Sequence, residues 1–505
     1  MNKLYLNNGE ASRLILIFLG WGFPPESFSR LEKSGYHILL VSGYDDSFSP
    51  SEVETFIQAQ RATNATPRYD EVVVIGWSFG VKAAELFLAQ SKLPITLRLA
   101  VNGTEFHIDD ERGIPQTIFN GTLEGLTDKS LSKFLLRSCG SKQLYDELFD
   151  NQGAEYAARN LETLRNQLRW FATLPPVPAT PDRHLWDKTI IGTNDRIFPA
   201  QNQEKAWADY DQFVIPNMAH VPDFQWVLDN FVVDKQKVCH KFGSASTTYT
   251  DNAKAQQVTA EKLYQHFSVA FANSKLKSGE EFASNGLKIT ELGYGDGMFT
   301  RQYAPSLLSH CAALTLCDIQ EHSLSQILNR NGDDVAVADQ QKIRTVTADV
   351  EAATFVEHCL PANSQDLIFS ASMFQWLNSP ATMLRRCCKA LKQNGMIALS
   401  FYGPGTLGEI SATVGNGLKY PSADWMQRVA RKCDLTVELV EVGKEQLTFA
   451  TANEAVRHLK LTGVNALSKQ TSPTMMRRLL SQWPVNEEGS VTLTFCPIYM
   501  ILTKN

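Results

Sequence analysis

Ser78 lies in Gly76-Trp77-Ser78-Phe79-Gly80, directly after the apolar run Val72 to Ile75. The spacing is that of a nucleophile elbow, in which a strand turns sharply into a helix and lifts a serine hydroxyl above the sheet edge. The turn predicts a helix over 81–89, whose N-terminus offers backbone N–H groups to a developing oxyanion. A serine nucleophile needs a base, and the base needs an orienting acid. In this fold class the chain order is serine, acid, histidine. Asp195, in Gly192-Thr-Asn-Asp195-Arg-Ile-Phe-Pro199, and His220, in Ala219-His220-Val-Pro222, supply both in that order. Each follows an apolar strand pattern, where open α/β sheets collect their sites. His37, His107 and His184 are rival bases, and none follows a strand so cleanly. Leu19-Gly20-Trp21-Gly22-Phe23 fits the loop that provides the second oxyanion donor, so the backbone N–H groups of Trp21 and Phe79 are expected to face one oxygen.

A second set of residues points to a nucleoside-containing cofactor. Lys288-Ile-Thr-Glu291-Leu-Gly293-Tyr-Gly295-Asp-Gly297 reads as a strand running into a glycine-rich turn, with a helix expected from Met298 to Leu308. Met298 stands where a dinucleotide loop needs a third small residue, and no Gly-Lys-Ser/Thr is present. Asp318 ends the next strand pattern, where an acid can take both ribose hydroxyls; alone it would serve NAD equally well. Asp349 follows another strand and could read an adenine amino group. With the strand Asp366 to Ala371 beyond, the ordered set favours an S-adenosylmethionine site over a dehydrogenase.

These residues need two separate frameworks. The chain has 505 residues, too many for one core. Strand patterns at Leu14–Leu19, His37–Val41, Glu71–Ile75, Lys188–Ile191 and Gln212–Ile215 predict a parallel sheet in an α/β-hydrolase domain over residues 1–230. Helical segments from about 105 to 181 read as a cap over its site. Val238 to Asn252 is small and polar with no apolar period, and reads as the boundary. A helix is expected from about Ala253 to Asn273. A Rossmann-like methyltransferase domain is expected over 235–505.

Composition narrows the function. Net charge is −6; residues 1–230 hold 21 Lys+Arg against 29 Asp+Glu, and the remainder 27 against 25. Neither part is basic enough for nucleic acid. The apolar run Leu14–Leu19 is too short for a membrane span or a signal segment. Nine scattered cysteines with no C-x-x-C pair indicate no metal centre and suggest reduced thiols in the cytoplasm.

Residues 1–230 resemble the biotin-synthesis pimeloyl-[acyl-carrier protein] methyl ester esterases of a variant α/β-hydrolase family. The resemblance rests on Gly20-Trp21-Gly22, the Ser78 elbow, Asn102-Gly-Thr104, Gly113-Ile-Pro115, Asp195-Arg-Ile-Phe-Pro199 and Ala219-His220-Val-Pro222. Leu19 departs from the histidine that many hydrolases carry ahead of the glycine. Residues 235–505 resemble malonyl-[acyl-carrier protein] O-methyltransferases. Lys241 through Tyr249 to Gln256 looks like that family's arm over the cofactor, which implies a cofactor contact for Tyr249. Ser370-Ala-Ser-Met-Phe-Gln375-Trp376 looks like its motif after the fourth strand, and Phe401-Tyr-Gly-Pro404-Gly405 matches further. Glu291 replaces the more usual aspartate.

The two resemblances imply a bifunctional enzyme whose partner is acyl-carrier protein carrying a malonyl or a pimeloyl methyl ester group. S-adenosylmethionine is implied as methyl donor, with no cofactor for the esterase. Expected cofactor contacts are Tyr249, Glu291, Gly293, Gly295, Gly297, Asp318, Asp349 and Ser370. An alternative is a small-molecule esterase fused to an unrelated methyltransferase. Arg159, Arg165 and Arg169 in the cap, and Arg385-Arg386, Arg428 with Arg431-Lys432, and Arg477-Arg478, are candidate contacts for an acidic carrier.

Overall fold

The computed structural model describes all residues except 8, 62–67, 176–184, 246–247, 325–326, 328–336, 415–417, 463–472 and 505. His184 and the last residues of the expected cap therefore lie outside the described residues. The chain divides into two compact α/β units, Met1–Val232 and Val233–Asn505.

The first unit is built on a seven-stranded sheet of order β1-β3-β2-β4-β5-β6-β7. The strands are β1 Asn2–Leu6, β2 Arg13–Phe18, β3 Tyr36–Ser42, β4 Glu71–Trp77, β5 Ile95–Val101, β6 Lys188–Gly192 and β7 Gln212–Ile215. All pairings are parallel except that of β1 with β3. Central parallel strands are covered on both faces, which explains their unbroken apolar runs. Leu14 to Phe18 and Val72 to Ile75 are fully buried. β1 has only five residues with mixed polarity, and its place on the antiparallel edge is set by pairing with β3, not by its own pattern.

Between β5 and β6 the described residues leave the sheet for four helices, Gln116–Glu124, Asp128–Cys139, Lys142–Leu148 and Gly153–Thr173. Thr127 begins the second with a capping box, its hydroxyl accepting from Ser130 N. The long fourth helix buries Ala157, Leu164, Leu168 and Phe171 along one stripe. That spacing keeps every buried side chain on one face.

The second unit has a seven-stranded sheet of order β10-β9-β8-β11-β12-β16-β13. Its strands are β8 Leu287–Leu292, β9 Cys311–Asp318, β10 Ile343–Thr347, β11 Gln365–Ala371, β12 Leu391–Tyr402, β13 Leu435–Val442 and β16 Pro497–Lys504. The first five in spatial order are parallel, and β16 runs antiparallel between β12 and β13. β14 Glu445–Phe449 and β15 Val491–Phe495 form a separate antiparallel pair.

Two local expectations change. The helix after the glycine turn begins at Thr300, two residues later than its pattern suggested, and ends at Leu307. Much of the stretch read as a boundary is a helix, Lys235–Ala245, within the second unit. Its buried face is carried by Val238 and Phe242, which pack with Trp376. Two apolar residues one turn apart are too few to register as a period.

Candidate active sites

In the first unit β4 drives Ser78 into the left-handed region, φ +59°. A non-glycine residue held there is strained, and strain of this kind persists where the surroundings dictate it. Close packing does so here. A Cβ on Gly80 would lie 2.1 Å from the Phe18 carbonyl oxygen, so the helix Gly80–Leu88 can start this near β2 only with glycine.

Three side chains from three loops meet at this turn. Ser78 Oγ donates to His220 Nε2 at 2.9 Å. His220 Nδ1 donates to Asp195, 2.9 Å from Oδ2 and 3.0 Å from Oδ1. Asp195 is fixed by the backbone N–H groups of Ile197 (2.8 Å) and Phe198 (2.9 Å) and by Gln203 Nε2 (3.1 Å). Those bonds hold the carboxylate aimed at the ring, which fixes the imidazole tautomer that leaves Nε2 free to accept. The loop carrying His220 is clamped through its carbonyl, which accepts from Trp77 Nε1 at 2.8 Å and Asn102 Nδ2 at 2.9 Å. Asn102 Oδ1 accepts from Gly192 N at 2.7 Å, tying the ends of β5 and β6 together.

Trp21 and Phe79 lie on the two loops expected to supply oxyanion donors. Trp21 Nε1 donates to the Leu164 carbonyl of the long inserted helix at 2.9 Å, and Phe79 stacks on Phe171 of the same helix. Both are buried, as are Ser78 and His220, at 3% and 2% exposure. The other described histidines of the first unit are committed elsewhere. His37 bonds Tyr69 and the Gly9 carbonyl. His107 donates to the Phe171 carbonyl at 3.0 Å, and burial pushes its pKa down to about 4.

The second unit holds an open cleft of about 1210 Å³, counting its mouth. Tyr249, Gly293, Gly295, Asp318 and Asp349 line it. Asp318 closes β9, and its Oδ2 accepts from Gly295 N at 2.9 Å while Oδ1 accepts from Gln320 N at 2.8 Å. Burial pushes its carboxyl above the ordinary value. Gly295 has φ +55°, and a Cβ there would meet no protein atom within 4 Å. The bare loop edge and two acids at adjoining strand ends suit the hydroxyls and amino groups of a nucleoside. Asp349 Oδ1 also takes Lys235 Nζ at 3.3 Å and Glu351 N at 3.0 Å.

Three expected contacts do not line the cleft. Glu291 is fully buried beneath the turn, where Oε2 accepts from Thr300 Oγ1 and Tyr303 OH, both at 2.7 Å. Burial raises its pKa to about 7. Ser370 Oγ donates to the Leu292 carbonyl at 2.9 Å, linking β11 to the end of β8. Gly297 packs against Ile327, its Cβ position 2.6 Å from Ile327 Cγ2. These residues shape the turn from below.

The sequence reading left Lys235, Gln320 and the Phe242–Trp376 pair unassigned, although all line the cleft. Phe242 and Trp376 meet edge to face at 5.2 Å. Gln320 stands two residues past the strand-end acid, and that offset was the available signal. Lys235 had none, because its partner Glu351 is 116 residues away.

The arginines proposed as carrier contacts are partly engaged. Arg386 Nη1 donates to the Glu351 carbonyl at 2.7 Å. Arg165 and Arg169 both pair with Glu162. No helix among the described residues is long and apolar enough to cross a membrane, and the described residues contain no cluster able to hold a metal ion.

Comparison with known proteins follows the same division. Residues 1–221 match the family described as pimeloyl-ACP methyl esterase BioG, and residues 290–399 match a methyltransferase domain family. A malonyl-[acyl-carrier protein] O-methyltransferase of Bacteroides fragilis is 29% identical over 506 residues, covering 97% of this chain and 92% of the relative. An uncharacterized protein of Haemophilus influenzae is 32% identical over 206 residues, 41% of this chain and 86% of that one. The crystal structure of BioG from Haemophilus influenzae shows 28% identity over 44% of this chain and 94% of its own, with a TM-score of 0.35. The chain thus carries a pimeloyl-ACP methyl esterase BioG family domain over residues 1–221 and a methyltransferase domain over residues 290–399, joined in a single two-part enzyme.

Proposed function

We propose that the chain performs two steps of biotin-precursor synthesis, methylating the free carboxylate of malonyl-acyl-carrier protein and later hydrolysing pimeloyl-acyl-carrier protein methyl ester. Methylation removes a charge that would be costly to bury in an apolar elongation site. The order of action is the reverse of chain order. The bonded series Asp195–His220–Ser78, standing in one chain with a cleft lined by Asp318 and Asp349, is the observation that carries this reading.

In the hydrolytic unit Ser78 Oγ attacks the methyl ester carbonyl while His220 Nε2 takes its proton. Asp195 stabilises the imidazolium that forms. The tetrahedral oxyanion faces the backbone N–H groups of Trp21 and Phe79; one such donor is worth about 3–4 kcal/mol. The proton passes from His220 to the departing methanol, and water then repeats the sequence on the acyl-serine. These steps need no cofactor.

In the second unit S-adenosylmethionine supplies an electrophilic methyl group when bound. Asp318 and Asp349 would hold its nucleoside, with Gly293, Gly295 and Tyr249 as further contacts. The malonyl carboxylate is already ionised, so no general base is required. The work of the chain is to align it and exclude water. Phe242 and Trp376 form an apolar wall for that purpose. We assign the protein to the cytoplasm, without nucleic-acid or membrane partners, on its free cysteines and its charge.

The test is incubation with S-adenosylmethionine and malonyl-acyl-carrier protein, read by mass spectrometry, beside hydrolysis of the pimeloyl methyl ester on the same carrier. Gain of one methyl group in the first and loss in the second is expected. Failure of either on carrier protein, with turnover of small esters or acids instead, favours the small-molecule alternative.

A further inference from the structure

The sheet order spreads the cleft over two regions. β10, β9 and β8 carry Asp349, Asp318 and the glycine turn on one side. β11 and β12 lie on the other, where the cleft is lined by Tyr402, Thr406, Gln375, Tyr420 and Gln256. Among the described residues lining this second region there is no lysine or arginine. Lys235, the one lysine among the described residues lining the cleft, is bound to Asp349 and Glu351.

Gln256 stands apart within that set. It lies on the helix Lys254–Ala272, is 6% exposed, and lines the cleft. Its Oε1 is buried and has no hydrogen-bond partner. A buried amide end left unpaired is unfavourable, and a native structure retains one where a ligand completes it. Thr259, one turn further along the same helix face, approaches the Tyr402 hydroxyl at 3.4 Å. This directs the face bearing Gln256 toward the β12 side of the cleft.

We infer that Gln256 is the residue that holds the substrate carboxylate, through its amide Nε2–H, with the Tyr402 hydroxyl as second donor. The inference rests on the methyltransferase reading above. A half turn of the amide exchanges its two ends, so the donor can take the buried position. Neutral donors suit this transfer better than a cation. One carboxylate oxygen forms the new O–CH3 bond as the C–S bond of the sulfonium breaks, and its electron pair passes to the sulfur. Both charges vanish together. A buried ammonium paired with the carboxylate would be left uncompensated in the ester product and would hold back the attacking lone pair. An amide orients the oxygen without either penalty.

The experiment uses the full chain with Q256M, which keeps the side-chain length and removes the donor, and Q256A. Both are assayed for methylation of malonyl-acyl-carrier protein and for S-adenosylmethionine binding, with circular dichroism reporting folding. A loss of at least tenfold in kcat/KM for the carrier substrate is expected, with the cofactor Kd changed less than twofold. Q256N, retaining a shorter amide, should recover part of the loss. Unchanged kcat/KM in Q256M overturns the inference. So does a rise in cofactor Kd that matches the lost activity, since Gln256 would then serve the cofactor. Failure of the unsubstituted chain to methylate the carrier substrate would instead refute the underlying reading.

Discussion

Lys235 Nζ lies 2.6 Å from Glu351 Oε2, and both side chains are buried. Glu351 also accepts from the backbone N–H groups of Asn378 (2.7 Å) and Ser379 (2.9 Å). One carboxylate thus joins the helix Lys235–Ala245 to the segment after β11, across the floor of the cleft. Removing one partner of a buried pair leaves an uncompensated charge, at about 3–5 kcal/mol. K235A should lower the melting temperature of the second unit and weaken S-adenosylmethionine binding, as calorimetry can measure. Retention of both would show that the pair is dispensable.

Glu291 predicts a pH dependence. Its folded pKa, about 7, lies above the ordinary 4.5 because burial disfavours the charged form. A raised folded pKa gives stability that is fully present below the unfolded value and is lost as pH rises through the folded one. The second unit should therefore lose about 3 kcal/mol of Glu291's contribution between roughly pH 4.5 and 7.5. E291Q should flatten that part of the profile in denaturant titrations. An identical slope in E291Q would exclude this residue as its source.

The two activities should separate cleanly. S78A should cut hydrolysis by at least about three orders of magnitude, as expected when a covalent nucleophile is lost, and leave methylation unchanged. D318A should do the reverse. Steady-state assays of both reactions on each variant check the assignment; full hydrolysis by S78A would reject the serine.

Gly295 offers a narrower test. Its positive φ costs a β-carbon about 1 kcal/mol, yet a methyl group there meets nothing in the protein. G295A should fold with a small loss of stability but bind S-adenosylmethionine at least tenfold more weakly. Unaltered binding would mean that no ligand passes over this turn.

Chain-length discrimination is expected if the buried apolar residues of the inserted helices, such as Leu164, Leu168 and Phe171, receive the acyl chain. Four additional methylenes at ~0.8 kcal/mol each give the pimeloyl ester ~3 kcal/mol over the malonyl ester, or roughly 200-fold in kcat/KM. Competition between the two methyl esters on carrier protein measures this directly, and equal rates would argue against an apolar acyl site.

Most strands of the first sheet were legible because buried parallel strands write continuous apolar runs, as at Val72–Ile75; β5 was not, since Thr96 and Arg98 interrupt its run. Ser78, Asp195 and His220 were legible because the fold fixes their order and places each after a strand. β1 was not, since five residues of mixed polarity carry little period. Glu291 and Ser370 were readable as part of the loop, but their depth was not. A polar residue at a strand tip can face the ligand or prop the turn, and only packing decides. Gln256 lay within a segment that sequence had marked as an arm, but nothing local distinguishes an unpaired buried amide from an exposed one on the same helix.

The bond from the Trp21 indole to the Leu164 carbonyl is one of several ties that hold the inserted helices over the serine, with those from Val221 N to the Ser138 carbonyl and from His107 to the Phe171 carbonyl. Since the hydroxyl beneath is 3% exposed, the proposed ester hydrolysis needs those ties to part. On the proposed function, turnover is then bounded by how often the helices lift, and a methyl ester made by the second unit would survive for as long as they stay down.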